Sequence, residues 1–240
     1  VIGVDVYLMS GESFVLAFLA SIAVACLCGL FNGIMVTKVG LAPFIATLAM
    51  DMIARGGAYL YTGGNPIYQT EGLARVSQAT VFGVPVPVLF LTGVMIISAI
   101  LLRTTRYGRQ LFAVGGNPEA ARASGISIAK TRIIAYVIAS AFTGIAAVLQ
   151  MARINAGMPD TANGYHGDAI AAAVVGGTAF GGGIGTALGT LIGALIIGLL
   201  NNILNLMGVQ SFVQQIVRGT VILVAVGWDI QSKRRQVKKA

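Results

Sequence analysis

Ionisable and amide side chains are scarce in the apolar parts of this chain, so those that occur there are the candidates for chemistry. Asp51 and Arg55 stand one helical turn apart in acid-then-base order, so they either neutralise each other or meet a polar solute. Asn201 and Asn205 share that spacing and hence one helix face, while Asn202 points elsewhere. Amides donate and accept, which suits neutral hydroxyl groups; hydrogen bonding between helices explains them equally well. Asp168 and Arg218 are further charges in apolar surroundings and can pair across helices. His166 is the only histidine, which rules out a histidine-based metal cluster or catalytic triad and leaves a polar helix start. The glycine cluster GGTAFGGGIG at 176–185 is not followed by Gly-Lys-Ser/Thr, so it is no phosphate-binding loop. Cys26 and Cys28 fall on different faces of one apolar helix and read as small buried hydrophobes.

The elements that must position these groups are membrane helices. Apolar residues make up 56% of the chain and charged residues 10%, well below the share in a soluble domain. Mean hydropathy is +0.85. The apolar segments lack the ten-residue alternation of a barrel. Residues 1–12, with Asp5 and Glu12, read as a loop, and spans are expected at 13–36, 43–61, 87–102, 133–152, 186–207 and 212–228. The stretch 62–86 is rich in polar residues, Gly and Pro and reads as an extramembrane loop, as does 153–164. Residues 166–177 are apolar but too short to cross about 30 Å, and a helix broken by glycines at that depth must lie inside the bundle. Gly29 and Gly33 form one close-packing ridge, and Gly185, Gly189 and Gly193 a second.

One polar, basic stretch, 103–131, interrupts the apolar runs and carries a short helix of its own. Asn117 is a good N-cap, Pro118 suits the first helical position, and Glu119 sits at the positive end of the dipole. Ala120 to Ser124 continue the helix, Gly125 stops it in the left-handed region, and Ser127 caps the apolar helix that follows. The product is a knob of about two turns, suited to docking a soluble partner, with a plain solvated turn as the alternative.

The net charge of +8 is not a nucleic-acid signal, because of where it lies. Of sixteen Lys and Arg, six are Arg103, Arg106, Arg109, Arg122, Lys130 and Arg132, and five more occupy the tail at 230–240. Basic blocks beside spans follow the positive-inside rule, which assigns both blocks to the cytoplasm, and Trp228 fits an interfacial anchor before the tail. Counting back from a cytoplasmic tail puts Lys38 inside, 62–86 outside and the N-terminus outside, provided 166–177 counts as a crossing. An outside N-terminus without a signal predicts an odd number of spans ahead of Val1.

The run YGRQLFAVGGNPEAARASGI at 107–126 and the run GYHGDAIAAAVVGGTAFGGGIGTALGTLIGALIIGLLNNILNLMGV at 164–209 resemble the permeases of bacterial ABC importers for monosaccharides, the ribose, galactose, xylose and autoinducer-2 group. NGIMVTKVGLAPFIATLAM at 32–50 and YTGGNPI at 61–67 extend the resemblance over nearly the whole chain. It implies an all-α polytopic bundle with a short broken helix and a cytoplasmic coupling helix. A single permease domain over 1–240 is expected, with roughly three N-terminal spans ahead of it in a family that has roughly ten. It further implies a multi-pass protein of the bacterial inner membrane that is not itself an enzyme and binds no cofactor. Its partners would be a pair of ABC ATPases that use the ATP, a second permease copy or paralogue, a periplasmic sugar-binding protein and membrane lipid, without nucleic acid. The coupling helix would comprise Gly116, Asn117, Pro118, Glu119, Ala120, Arg122, Ser124 and Gly125, with Arg122 meeting either the ATPase or a lipid headgroup. Asp51, Arg55, Asp168, Asn201 and Asn205 are the candidates for the substrate path. A related branched-chain amino-acid permease would show charge or open helix N-termini aimed at a zwitterion, and the outer halves are poor in charge. An ATPase-independent secondary transporter or channel would show an inverted repeat, and no convincing one is present.

Overall fold

The computed structural model describes residues 1–11, 13–68 and 71–237. Glu12, the side chain of Trp228 and those of the basic tail lie outside the described residues. The protein is an all-α polytopic bundle. Among the described residues, four helices are long and apolar enough to cross a bilayer: α2 (Phe14–Ile34) with its π-helical continuation Met35–Val39, α5 (Val86–Arg103), α8 (Ile128–Ile154) and α10 (Ala187–Leu206). The helix α3 (Pro43–Thr62) begins at a proline and stops at Gly63 in the left-handed region, and its central Asp51 and Arg55 dilute its apolar character. The apolar part of α11 (Ser211–Val237) is Phe212–Gly227.

Two compact units divide the chain: 1–94 with 127–161, and 95–126 with 162–240. In the first, α2 packs along α8 through small residues. A side chain at Gly29 would strike Ser140 and the Tyr136 carbonyl, one at Gly33 would press on Ile133, and one at Gly144 would strike the Ile22 backbone. With no hydrophobic drive in lipid, such close backbone approach supplies the packing energy, so the expected Gly29/Gly33 ridge is the α2 face of this pair. Cys26 and Cys28 are free and half-buried.

Three expectations are corrected here. Residues 1–12 are not a plain loop, because Ile2–Met9 forms helix α1 with Val4 and Tyr7 almost fully buried. Eight residues are too few to hold a helix alone, and the burial of Val4 against Val148 and Met151 stabilises it. The segment 62–86 contains α4 (Glu71–Gln78) and a hairpin of β1 (Thr80–Val81) and β2 (Val84–Pro85). Phe82 and Gly83 both take positive φ there, 51° and 78°, the geometry a two-residue hairpin turn requires. Finally, the 103–131 stretch holds two helices, α6 (Arg106–Gly116) and α7 (Pro118–Ala123), where one was expected.

In the second unit, α9 (Tyr165–Val175) is a helix of 11 residues, about 16 Å long, ending at the glycine cluster as expected. It packs on α10 along Gly189 and Gly193, while Gly185, ahead of α10, faces Thr178. A side chain at Gly189 would strike the Gly176 carbonyl, and one at Gly193 the Ala172 carbonyl. Ala171, Ala172 and Ile197 form the buried core there, with Val221 and Ile222 of α11 against it.

Candidate functional site: an intramembrane polar cluster and a capped knob

The short α9 ends before it can span the membrane, so Asp168 in its first turn lies level with the C-terminal end of α10 and the N-terminal half of α11. Three side chains from three helices meet there. The Arg218 guanidinium lies 3.4 Å from an Asp168 carboxylate oxygen and donates to the Asn201 carbonyl oxygen at 3.0 Å. The Asn201 amide donates to that same Asp168 oxygen at 3.4 Å. Next to it on α10, Asn205 accepts from Gln214 at 2.9 Å, and Gln214 also donates to the Val209 carbonyl at 2.8 Å. Gln214 is buried at 6% exposure, whereas the Asp168 and Arg218 side chains keep 21% and 28%.

The chemistry follows from the pairing. A lone charge in a membrane segment is costly, and the Asp168–Arg218 contact cancels both charges while both side chains stay partly exposed. The amides of Asn201 and Asn205 add donors and acceptors without net charge. Such a cluster matches neutral polyhydroxy groups better than an ion. The Asp168–Arg218 pair and the Asn201–Asn205 face are separate readings in the sequence, and the structure brings them into one neighbourhood together with Gln214, which the sequence reading missed. Its one signal was its spacing, a helical turn ahead of Arg218.

Asp51 and Arg55 belong to the first unit and form their own pair, 3.2 Å apart within one turn of α3. Each is thereby neutralised on its own helix. His166 is exposed near the start of α9.

The knob is built as its letters specify. Asn117 accepts with its side-chain oxygen from the backbone N–H groups of Glu119 and Ala120, both at 3.1 Å. Pro118 opens α7, and Gly125 takes φ +79° beyond its end. The Ile126 N–H returns to the Ala121 carbonyl and the Gly125 N–H to that of Arg122, closing the last turn. Ser127 caps α8 by accepting from the Lys130 N–H. Ala121 is buried, while Glu119 and Arg122 face outward and pair at 3.1 Å. Exposed pairs are worth little, about 0.5 kcal/mol, so both charges remain available to a partner. Ahead of the knob, Thr105 caps α6 by accepting from the Gly108 N–H. Burial pushes the Tyr107 phenol on α6 up to about 12, so it stays protonated across the physiological range.

Apolar spanning helices, a broken helix at depth and a polar intramembrane cluster define a multi-pass membrane protein of the transport class. The chain belongs to the family described as branched-chain amino acid transport system / permease component, which matches residues 2–226. Its curated relatives include the ribose import permease of Bacillus subtilis (strain 168), 41% identical over 201 residues that are 82% of this chain and 62% of that one. The ribose import permease of Escherichia coli (strain K12) is 39% identical over 88% of this chain and 67% of its own length. The L-arabinose transport system permease of the same strain is 36% identical over 82% and 61%. The chain thus spans about two thirds of the length of these relatives. No solved structure matches it.

Proposed function

We propose that this chain is permease sequence of an ATP-driven importer for a monosaccharide or related small polyol. The observation that carries the reading is the charge-balanced cluster of Asp168, Asn201 and Arg218, with Asn205 beside it, in a chain whose relatives include permeases for ribose, L-arabinose, D-allose and galactose. The family description names branched-chain amino acids, yet a zwitterion needs separated, uncompensated charges, and here the arginine is already matched.

In this reading Asp168, Asn201 and Asn205 line the substrate path, and Asp51 with Arg55 serve as a second polar station in the other unit. The knob, Gly116 to Gly125, docks on an ATPase pair that hydrolyses the ATP. A second permease completes the path, and a periplasmic sugar-binding protein delivers substrate from outside. The protein sits in the bacterial inner membrane with its C-terminus in the cytoplasm, and lipid surrounds the exposed apolar faces.

Co-purification with the ATPase tests the assembly, and uptake of radiolabelled sugar into proteoliposomes tests the path. The ATPase should be lost on Ala121→Pro, which breaks the short helix, and weakened by Arg122→Glu. Asn201→Leu should cut uptake by about tenfold while leaving the ATPase bound. Retention of the ATPase by both knob variants would overturn the assignment.

A further inference from the structure

The end of α6, immediately before the knob, touches the glycine cluster that follows α9, backbone against backbone. A Cβ placed on Gly115 would collide with the Gly183 amide nitrogen and come within 3.1 Å of the Gly183 Cα and 3.2 Å of the Gly182 carbonyl carbon. Seen from the other side, a Cβ on Gly182 would lie 3.1 Å from the Gly115 Cα, and one on Gly183 2.7 Å from the Gly116 Cα. Gly182 and Gly183 take φ +88° and +80°, so that segment is committed to glycine by conformation as well as by space.

The glycine segment is held by hydrogen bonds of its own. The Ala179 N–H donates to the Ile184 carbonyl and the Gly182 N–H to that of Ala179, both at 2.9 Å, closing a tight turn. The Thr178 and Thr190 hydroxyls lie 3.3 Å apart and tie the turn to α10. On its N-terminal side the turn continues into α9, whose far end holds Asp168. On the α6 side, Asn117 joins the helix to the knob: its N–H donates to Ala113 and its carbonyl accepts from Ala121, both at 3.0 Å. A cavity of about 390 Å³ lies nearby, lined by Leu102 and Arg103 of α5, Phe112 of α6 and Gly185 to Leu188.

We infer that the Gly115–Gly183 contact is the point at which movement of the knob is handed to α9 and through it to the Asp168 cluster. Side chains in contact can change rotamer and absorb a displacement; two backbones in contact transmit it. Gly115 is thus a positioning residue for coupling, acting through α9 and touching neither ATPase nor substrate. The inference rests on the proposed role of the knob.

Two glycines supply the test. Gly115→Ala puts a methyl group against the Gly183 backbone, whereas Gly198→Ala in α10, outside the knob and the polar cluster, meets nothing within 4 Å. The transporter is assembled in proteoliposomes with its ATPase and binding protein. Gly115→Ala is expected to keep ATPase binding and basal ATP hydrolysis while sugar uptake per ATP falls by about tenfold, and Gly198→Ala to match wild type. Uptake per ATP within about twofold of wild type for Gly115→Ala would overturn the inference. Should Gly115→Ala fail to assemble, hydrogen exchange on the wild-type transporter decides. The Gly182 and Gly183 amides should change protection when a non-hydrolysable ATP analogue closes the ATPase pair, and unchanged protection would overturn it. Failure of wild type to bind the ATPase would instead remove the functional reading on which all of this stands.

Discussion

Asp168 and Arg218 show how a pair of letters becomes a site. Each is an expense in an apolar helix, and each is tolerated because the other, with Asn201 between them, is within reach. Asp168→Asn should therefore destabilise the protein by about 3 kcal/mol, since it strands a partly buried guanidinium. The double variant Asp168→Asn with Arg218→Gln should recover most of that loss. Thermal unfolding in detergent reads both, and a double variant as unstable as the single would show that the stranded charge is not the source. Scarcity of charge made this pair legible in the sequence, because few partners were available. Gln214 was not legible: an amide in an amphipathic stretch looks like surface until its helix is seen with that face buried against Asn205.

At the scale of elements, the knob and the glycine seams were readable because caps and small-residue spacing are local properties. Asn117, Pro118 and Gly125 set the ends of α7 wherever the rest of the chain lies. The seam glycines can be ranked by what faces them. Gly193→Ala should cost about 2 kcal/mol, as its methyl group would meet the Ala172 carbonyl. Gly198→Ala, five residues further along α10 with nothing within 4 Å, should be neutral or slightly stabilising. Equal effects on the unfolding midpoint would mean that α9 does not press on this face. The elements that escaped notice were α1, α4 and α6. They are short or polar, and α1 is held by tertiary burial that no periodicity announces.

For the whole molecule the outstanding quantity is topology. The basic residues of 103–131 and Lys38 should face one side and the hairpin at Phe82 the other, by the positive-inside rule. With Cys26 and Cys28 replaced by alanine, single cysteines at Lys38, Glu119 and Phe82 can be challenged with a membrane-impermeant maleimide. Matching accessibility of Lys38 and Glu119, opposite to Phe82, is the expected result. Opposite accessibility of Lys38 and Glu119 would break the assignment of faces. The sequence by itself determined that this is a helical membrane protein, where its main spans run, and that a capped helix interrupts them. Those follow from transfer free energy and from local backbone preferences, each a sum over neighbouring residues. Only the tertiary structure decided that Asp168, Asn201 and Arg218 converge, that Gln214 supports Asn205, and that Gly115 rests on Gly183. Such meetings join segments far apart in the chain, and they depend on how closely helix backbones approach, which no single segment encodes.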